Sequence, residues 1–449
     1  MEVILIKAAQ LFLSLAILVT LHELGHFIPA KLFKTRVEKF YLFFDPWFSV
    51  VKKKIGGTEY GLGWLPLGGY VKIAGMIDES MDKEQLSKEP EDWEFRSKPA
   101  WQRLIIMIGG VTINVILAIL IYAMTLGVWG ETYLPNKNVK DGVWVMHPIM
   151  KKIGFQNGDK VLAIDDKPIE NFSDIAPELF YGSVANVERN GEIVNLTIPK
   201  NFIEQLLDGN KKSGFFIPRT PFKVGDVVAG GNAAKGGLKK GDVITSVNDS
   251  PIKYFDQILS TLEQNKGQKV AVIVNREDKF DTLSIAVTDS GKIGFQAALY
   301  DFSDMERAGI YDFESRKYGF FSAIPAGFSK AYATLGSYVK QFKVILNPST
   351  GAYKGVGGFA AIGGMFPPEW NWQIFWERTA FLSIILAFMN LLPIPALDGG
   401  HVMFLLYEMI TGRKPHDKVL EYAQIVGMVL LFSLLIFANG NDIYRNFFK

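Results

Sequence analysis

Four long apolar stretches, at about residues 3–30, 104–129, 375–410 and 419–438, constrain this chain more than any other feature. Each exceeds or matches the roughly 20 helical residues that cross a bilayer. In hydrocarbon every backbone N–H and C=O must find its partner inside the protein, so such stretches have to be helices. A membrane α-helical protein with four transmembrane helices follows, and a hydrophobic content of 49% in 449 residues agrees with it. With 48 basic against 46 acidic residues the net charge is only +2, so no broad positive field exists to gather nucleic acid. The absence of cysteine excludes disulfides, thiol nucleophiles and thiolate metal sites, which leaves His, Asp and Glu as metal ligands.

The first stretch has Glu2 where a secretory signal carries basic residues, shows no small-residue cleavage site, and is read as retained. Basic residues flank the spans on one side: Lys31, Lys34, Arg36 and Lys39 after the first, Arg96, Lys98 and Arg103 before the second, Arg413, Lys414 and Lys418 between the last two. Those two loops are expected in the cytoplasm and the long segment from about 131 to 374 on the opposite, extracytoplasmic side. That segment repeats itself: Gly158-Asp159 through Pro168-Ile169 matches Gly241-Asp242 through Pro251-Ile252 at an offset of 83 residues. In each copy a Gly-Asp turn leads into an alternating strand, a second turn and a later β-rich stretch, so two α+β domains are expected. The pattern resembles PDZ domains, although no Gly-Leu-Gly-Phe carboxylate loop is present. Two small domains acting only as spacers is the plainer alternative.

Inside the first span lies LHELGHF, residues 21–27. His22 and His26, four apart, share one helix face and can both reach one metal ion. Glu23 can take a proton from a water attacking a carbonyl there. Ionisable groups are costly in a span and usually functional, and a metal cavity accounts for all three. A catalytic zinc needs a third protein ligand. The third stretch is too long for one straight crossing and is broken by Pro393, Pro395, Gly399 and Gly400; Asp398 in that break is the only acidic residue from Ala380 to Leu406. His401 is a rival ligand, and a simple helix-capping role for Asp398 is the alternative to both.

These residues resemble the site-2 proteases, intramembrane zinc metalloproteases, and within them the regulator-of-sigma-E type with tandem PDZ domains. The resemblance rests on His22-Glu23-Leu24-Gly25-His26-Phe27, on Asn390 through Gly400, and on Leu67-Gly68-Gly69-Tyr70-Val71-Lys72. It implies one Zn2+ on His22, His26 and Asp398, with His401 outside the metal shell, Glu23 as general base, and Asn390 handling substrate near the scissile bond. Pro393, Pro395, Gly68, Gly69 and Asn114 are further implied substrate contacts. It also implies a bacterial inner-membrane location with periplasmic PDZ-like domains. Implied substrates are single-span membrane proteins already shortened by a site-1-type protease, such as an anti-sigma factor, and remnant signal peptides. Three departures bear on substrate handling: Gly110-Val111 and Gly355-Val356 replace Gly-Pro steps, and Phe43-Phe44-Asp45-Pro46 stands where relatives carry Gly-Phe-Gly.

The expected organisation is a first span to residue 33, a cytoplasmic loop over 34–102, the second span over 103–129 and PDZ-like domains over 130–213 and 214–300. Connecting helices then cover 301–374, followed by the broken span over 375–410 and the fourth span with its tail over 411–449. Residues 57–73, uncharged between Tyr60 and Val71, read as a Gly-rich β-hairpin, either re-entrant in the lipid bilayer and holding unwound substrate by β-addition, or an ordinary cytoplasmic hairpin. Phe321, Phe328, Tyr332, Leu335, Val339 and Phe342 recur at helical spacing, which fits an interfacial helix or packing against the spans. The Gly- and aromatic-rich stretch 353–372 is expected as a flexible cover of the outer mouth. Two other functions remain open: a catalytically idle PDZ adaptor, which would need neither metal nor Glu23, and a transporter using the broken span.

Overall fold

The first apolar stretch folds as one helix, α1 (Glu2–Leu32), in the computed structural model, which describes residues 1–66, 68–76, 89–209 and 214–448. Leu67 and the domain boundary expected at 213 lie outside the described residues. By its internal contacts the chain divides into two units, residues 1–131, 317–346 and 353–449 in one and 132–316 with 347–352 in the other.

In the first unit, α1 buries Leu11, Ser14, Leu18, His22 and Gly25, a stripe at three- and four-residue steps. It faces α2 (Ala100–Trp129), whose buried stripe runs Ile106, Gly110, Asn114, Ala118 and Tyr122. The two helices meet through glycine: a Cβ on Gly25 would lie 2.4 Å from the Gly109 carbonyl oxygen, and one on Gly109 would lie 2.0 Å from that of Gly25. Small residues at a crossing let membrane helices touch backbone to backbone. Among the described residues, four helices are long and apolar enough to cross a membrane.

Between α1 and α2 stand β1 (Val37–Leu42), β2 (Phe44–Ile55), β3 (Thr58–Leu65) and β4 (Tyr70–Ile73), in sheet order β2-β3-β1-β4. The hairpin is β2–β3, closed by Gly56 and Gly57 with φ of 55° and 86°. Positive φ at both positions is what a two-residue hairpin turn of matching twist requires. The expected hairpin over 57–73 is therefore corrected: β3 and β4 flank β1 on opposite sides. The partner of β3 carries Lys52, Lys53 and Lys54, which broke the apolar alternation by which a strand is recognised in sequence.

Helix α3 (Phe320–Leu346) packs on α2 with only the later part of the expected stripe, Leu335 joining that contact and Phe342 meeting Phe388 edge-on. Its buried ridge is Ala323, Gly327 and Ala331, while Phe321, Phe328 and Tyr332 are exposed. A Cβ on Gly327 would lie 2.5 Å from the Ala123 nitrogen, so close approach, not ring burial, sets this contact. After the short helix α4 (Phe359–Gly364) come α5 (Trp372–Leu391), α6 (Asp398–Thr411) and α7 (Asp417–Phe447). The broken third stretch is thus α5, which alone has a span's length, and a separate α6.

In the second unit the repeated segments build matching sheets. One comprises β5 (Lys160–Ile164), β6 (Lys167–Pro168), β7 (Val184–Arg189) and β8 (Glu192–Thr197), ordered β8-β7-β5-β6. The other comprises β9 (Val243–Val247), β10 (Ser250–Pro251), β11 (Lys269–Arg276) and β12 (Lys279–Ala286), ordered β12-β11-β9-β10. The Asp of each Gly-Asp turn is buried and takes two guanidinium hydrogen bonds from the end of a later strand, Asp159 from Arg189 and Asp242 from Arg276, at 2.7–2.8 Å.

Candidate metal centre

The i and i+4 histidines of α1 point Nε2 at each other, 3.3 Å apart, and both face the carboxylate of Asp398 on the first turn of α6. His22 Nε2 lies 3.4 Å and His26 Nε2 3.3 Å from Asp398 Oδ2. Zinc bonded at about 2.0–2.1 Å to tetrahedral ligands holds those ligand atoms roughly 3.3–3.4 Å apart. The three donor atoms already stand at that spacing. Asp398 Oδ2 is buried and makes no hydrogen bond, its nearest polar groups being the two Nε2 atoms. An acceptor left bare among imidazoles suits a cation better than a structural cap. Among the described residues these three form the one His/Asp/Glu group with metal-binding spacing. His401 lines the same cavity and stands outside that group.

The backbone that presents Asp398 is irregular for identifiable reasons. Ala396 adopts φ of 78°, unusual for a residue with a Cβ, and its N–H is held by Gln424 Oε1 of α7 at 3.1 Å. Gly399 and Gly400 leave no room for a side chain, since added Cβ atoms would lie 2.2 Å from the Leu392 oxygen and 2.7 Å from the Ile394 oxygen. Gly427 of α7 is in the same position against the Pro395 oxygen. The loop is therefore clamped between the start of α6 and the body of α7.

Around the donors lies a cavity of about 490 Å³, lined by Glu23, Gly68, Gly69, Tyr70, Asn390 and Phe359 among others. Glu23 of α1 and Val71 of β4 both line this cavity. Gly69 brings that strand close: a Cβ there would lie 2.8 Å from Val19 and 3.6 Å from Glu23 Cγ. The Asn390 side-chain nitrogen is 3.3 Å from His22 Nε2. Of the expected substrate contacts, Asn390, Gly68 and Gly69 line the cavity. Asn114 is fully buried behind His22, Pro393 is exposed, and Pro395 borders a neighbouring cavity of about 300 Å³. The stretch 353–372 is anchored rather than loose: Asp442 accepts the Gly358 and Ala361 N–H groups, Asn439 that of Phe359, and Asn441 donates to the Lys354 and Val356 carbonyls.

Sequence reasoning missed Gln424. Gln424 had a signal, being an amide within an apolar span.

Residues 10–434 match Peptidase family M50. The regulator of sigma E protease of Haemophilus influenzae is 29% identical over 460 residues, covering 96% of this chain and 97% of the relative. The metalloprotease MmpA of Caulobacter vibrioides is 27% identical over 462 residues, covering 98% and 96%. A Neisseria meningitidis protein that bears the provisional name of zinc metalloprotease is 29% identical, covering 96% and 97%. Four membrane-length helices, a His-His-Asp donor set and a match along nearly the whole chain agree: this chain belongs to peptidase family M50, the site-2 zinc metalloproteases.

Proposed function

We propose that the chain is an intramembrane endopeptidase whose single zinc is held by His22, His26 and Asp398 and whose general base is Glu23. The observation that carries this reading is the convergence of three donor atoms, 3.3–3.4 Å apart, with one carboxylate oxygen left bare among them. A zinc ion held by these residues would supply Lewis acidity to the scissile carbonyl and to the attacking water. Glu23, which lines the cavity beside the donors, takes the proton of the attacking water and returns it to the leaving amine. Asn390, beside His22 Nε2, donates to the reacting carbonyl and holds it in line with that attack. The strands around Gly68, Gly69 and Tyr70 border the cavity, and an unwound substrate segment adds there as a further strand, the sheet dipping into the bilayer.

Substrates on this reading are single-span membrane proteins already trimmed by another protease, including anti-sigma factors and remnant signal peptides. The name of the Haemophilus influenzae relative supports the sigma-factor branch. On this reading the protein sits in a bacterial inner membrane with its two repeats as PDZ-like domains on the periplasmic side, a sidedness that the basic flanks of α1, α2 and α7 support. Their place in the chain, between the second and third spans, suits a filter that excludes bulky ectodomains. The test of the metal set compares purified Asp398→Ala and His401→Ala. Asp398→Ala is expected to lose zinc and activity while His401→Ala keeps the metal; the opposite result assigns the third ligand to His401.

A further inference from the structure

The far side of each histidine from the donor cluster is met by α2. His26 Nδ1 lies 2.8 Å from the Ile106 carbonyl oxygen, an acceptor only, so Nδ1 carries the proton and Nε2 is free to bind metal. One turn on, Gly110 leaves space for both rings, because a Cβ there would lie 2.4 Å from His26 Nε2 and 2.8 Å from His22 Nδ1. One turn further, the side chain of Asn114 lies 3.1 Å from His22 Nδ1. Ile106, Gly110 and Asn114 thus form one stripe of α2, at four-residue steps, against the back of the pair.

Asn114 is itself fully buried and does not line the cavity, so it touches no substrate. Its backbone carbonyl accepts the Ser383 hydroxyl at 2.7 Å, which ties this point of α2 to α5. With the amide nitrogen toward His22, the amide oxygen is a buried acceptor without a partner. A 180° turn of the amide exchanges the two ends and costs no volume. It puts an acceptor on His22 Nδ1, matching what the Ile106 carbonyl gives His26. Metal-bound histidines almost always donate their second ring N–H in this way, and the partner fixes both the tautomer and the ring's direction.

We propose, building on the zinc site described above, that Asn114 is the positioning residue of His22: its side-chain oxygen accepts the Nδ1–H and holds Nε2 toward the metal. This replaces the sequence expectation that Asn114 handles substrate. Asn114 acts through His22, so its removal is felt first in metal affinity and only then in turnover.

The test is zinc affinity of the full-length protein in detergent, by competition with a chelator, for wild type, Asn114→Ala, Asn114→Leu, Asn114→Asp and, as reference, Asp398→Ala. Visible spectra of the cobalt-loaded forms report the ligand field in parallel. Ala and Leu lack the acceptor and are expected to weaken zinc binding roughly 10–100-fold. Asp restores an acceptor and is expected within about threefold of wild type with a four-coordinate cobalt spectrum. Folded Ala or Leu protein with wild-type affinity overturns the proposal, as does an Asp variant that loses as much affinity as they do. Should Asp398→Ala bind zinc as wild type does, the zinc set itself is wrong, a separate failure from that of Asn114.

Discussion

Gly110 occupies a point of α2 where a side chain would enter the histidine pair, and Ile106 and Asn114 of the same helix contact the far nitrogens of the two rings. Gly110→Ala is therefore expected to lower zinc affinity by about tenfold or more, comparable to loss of an outer-shell partner, and zinc titration of the purified protein checks it. Wild-type affinity would mean that α1 and α2 move apart at little cost. The candidate ligands stood out in sequence for local reasons. The H-E-x-x-H spacing is a property of a single helix turn, and Asp398 was the lone acid within a span broken by two prolines and two glycines. The groups that aim them were less legible. Asn114 was visible as a polar residue in a span but not as the neighbour of His22, 92 positions away. The departure from Gly-Pro at Gly110-Val111 leaves intact the part that matters here, the glycine.

The elements of the second unit show why the repeat was readable: its signature is an ion pair seen end-on, with Asp159 and Asp242 at the start of one strand and Arg189 and Arg276 at the end of another. Burial pushes the Asp242 carboxyl up, but two bonds from the Arg276 guanidinium and one from the Lys239 N–H bring it below the ordinary aspartate value. A carboxyl whose pKa is lowered on folding adds stability above its unfolded value, about 3.9, and loses it as pH falls through the folded value. The unit is therefore expected to weaken below about pH 4. Asp242→Asn should remove part of that acid dependence and cost roughly 1.5–3 kcal/mol at neutral pH. Hydrogen exchange across residues 269–286 of wild type and variant, at pH 3.5 and pH 7, measures both. Equal protection of the two proteins at pH 7 would contradict it. Elsewhere the element-scale reading failed where one kind of pattern was trusted. The hairpin partner β2 was hidden by its three lysines, and on α3 the aromatic stripe drew attention from the Ala323, Gly327 and Ala331 ridge that makes the contact.

At the scale of the whole molecule, the long insert begins and ends on paired short strands, Glu131–Tyr133 and Glu314–Arg316. Its ends are thus neighbours, and residues 134–313 can be replaced by a short Gly/Ser linker without stretching the chain. If the repeats are a size filter, the shortened enzyme should keep its zinc and cut a single-span substrate whose ectodomain is intact, which wild type should refuse. Cleavage restricted to the pre-trimmed substrate would remove the filter role, and loss of all cleavage with zinc retained would favour docking. The number of spans and the place of the insert were readable from hydropathy, since bilayer thickness fixes helix length. The division of the third stretch into α5 and α6 was readable only as a break. The central claim, that a zinc site inside the bundle hydrolyses a membrane-embedded peptide bond with Glu23 as base, is tested most directly by reconstituting wild type and Glu23→Gln with a trimmed single-span substrate. Cleavage and bound zinc are then measured on the same samples. The account predicts one zinc per chain in both proteins, with cleavage by wild type and none by Glu23→Gln. Undiminished cleavage by zinc-loaded Glu23→Gln would contradict it.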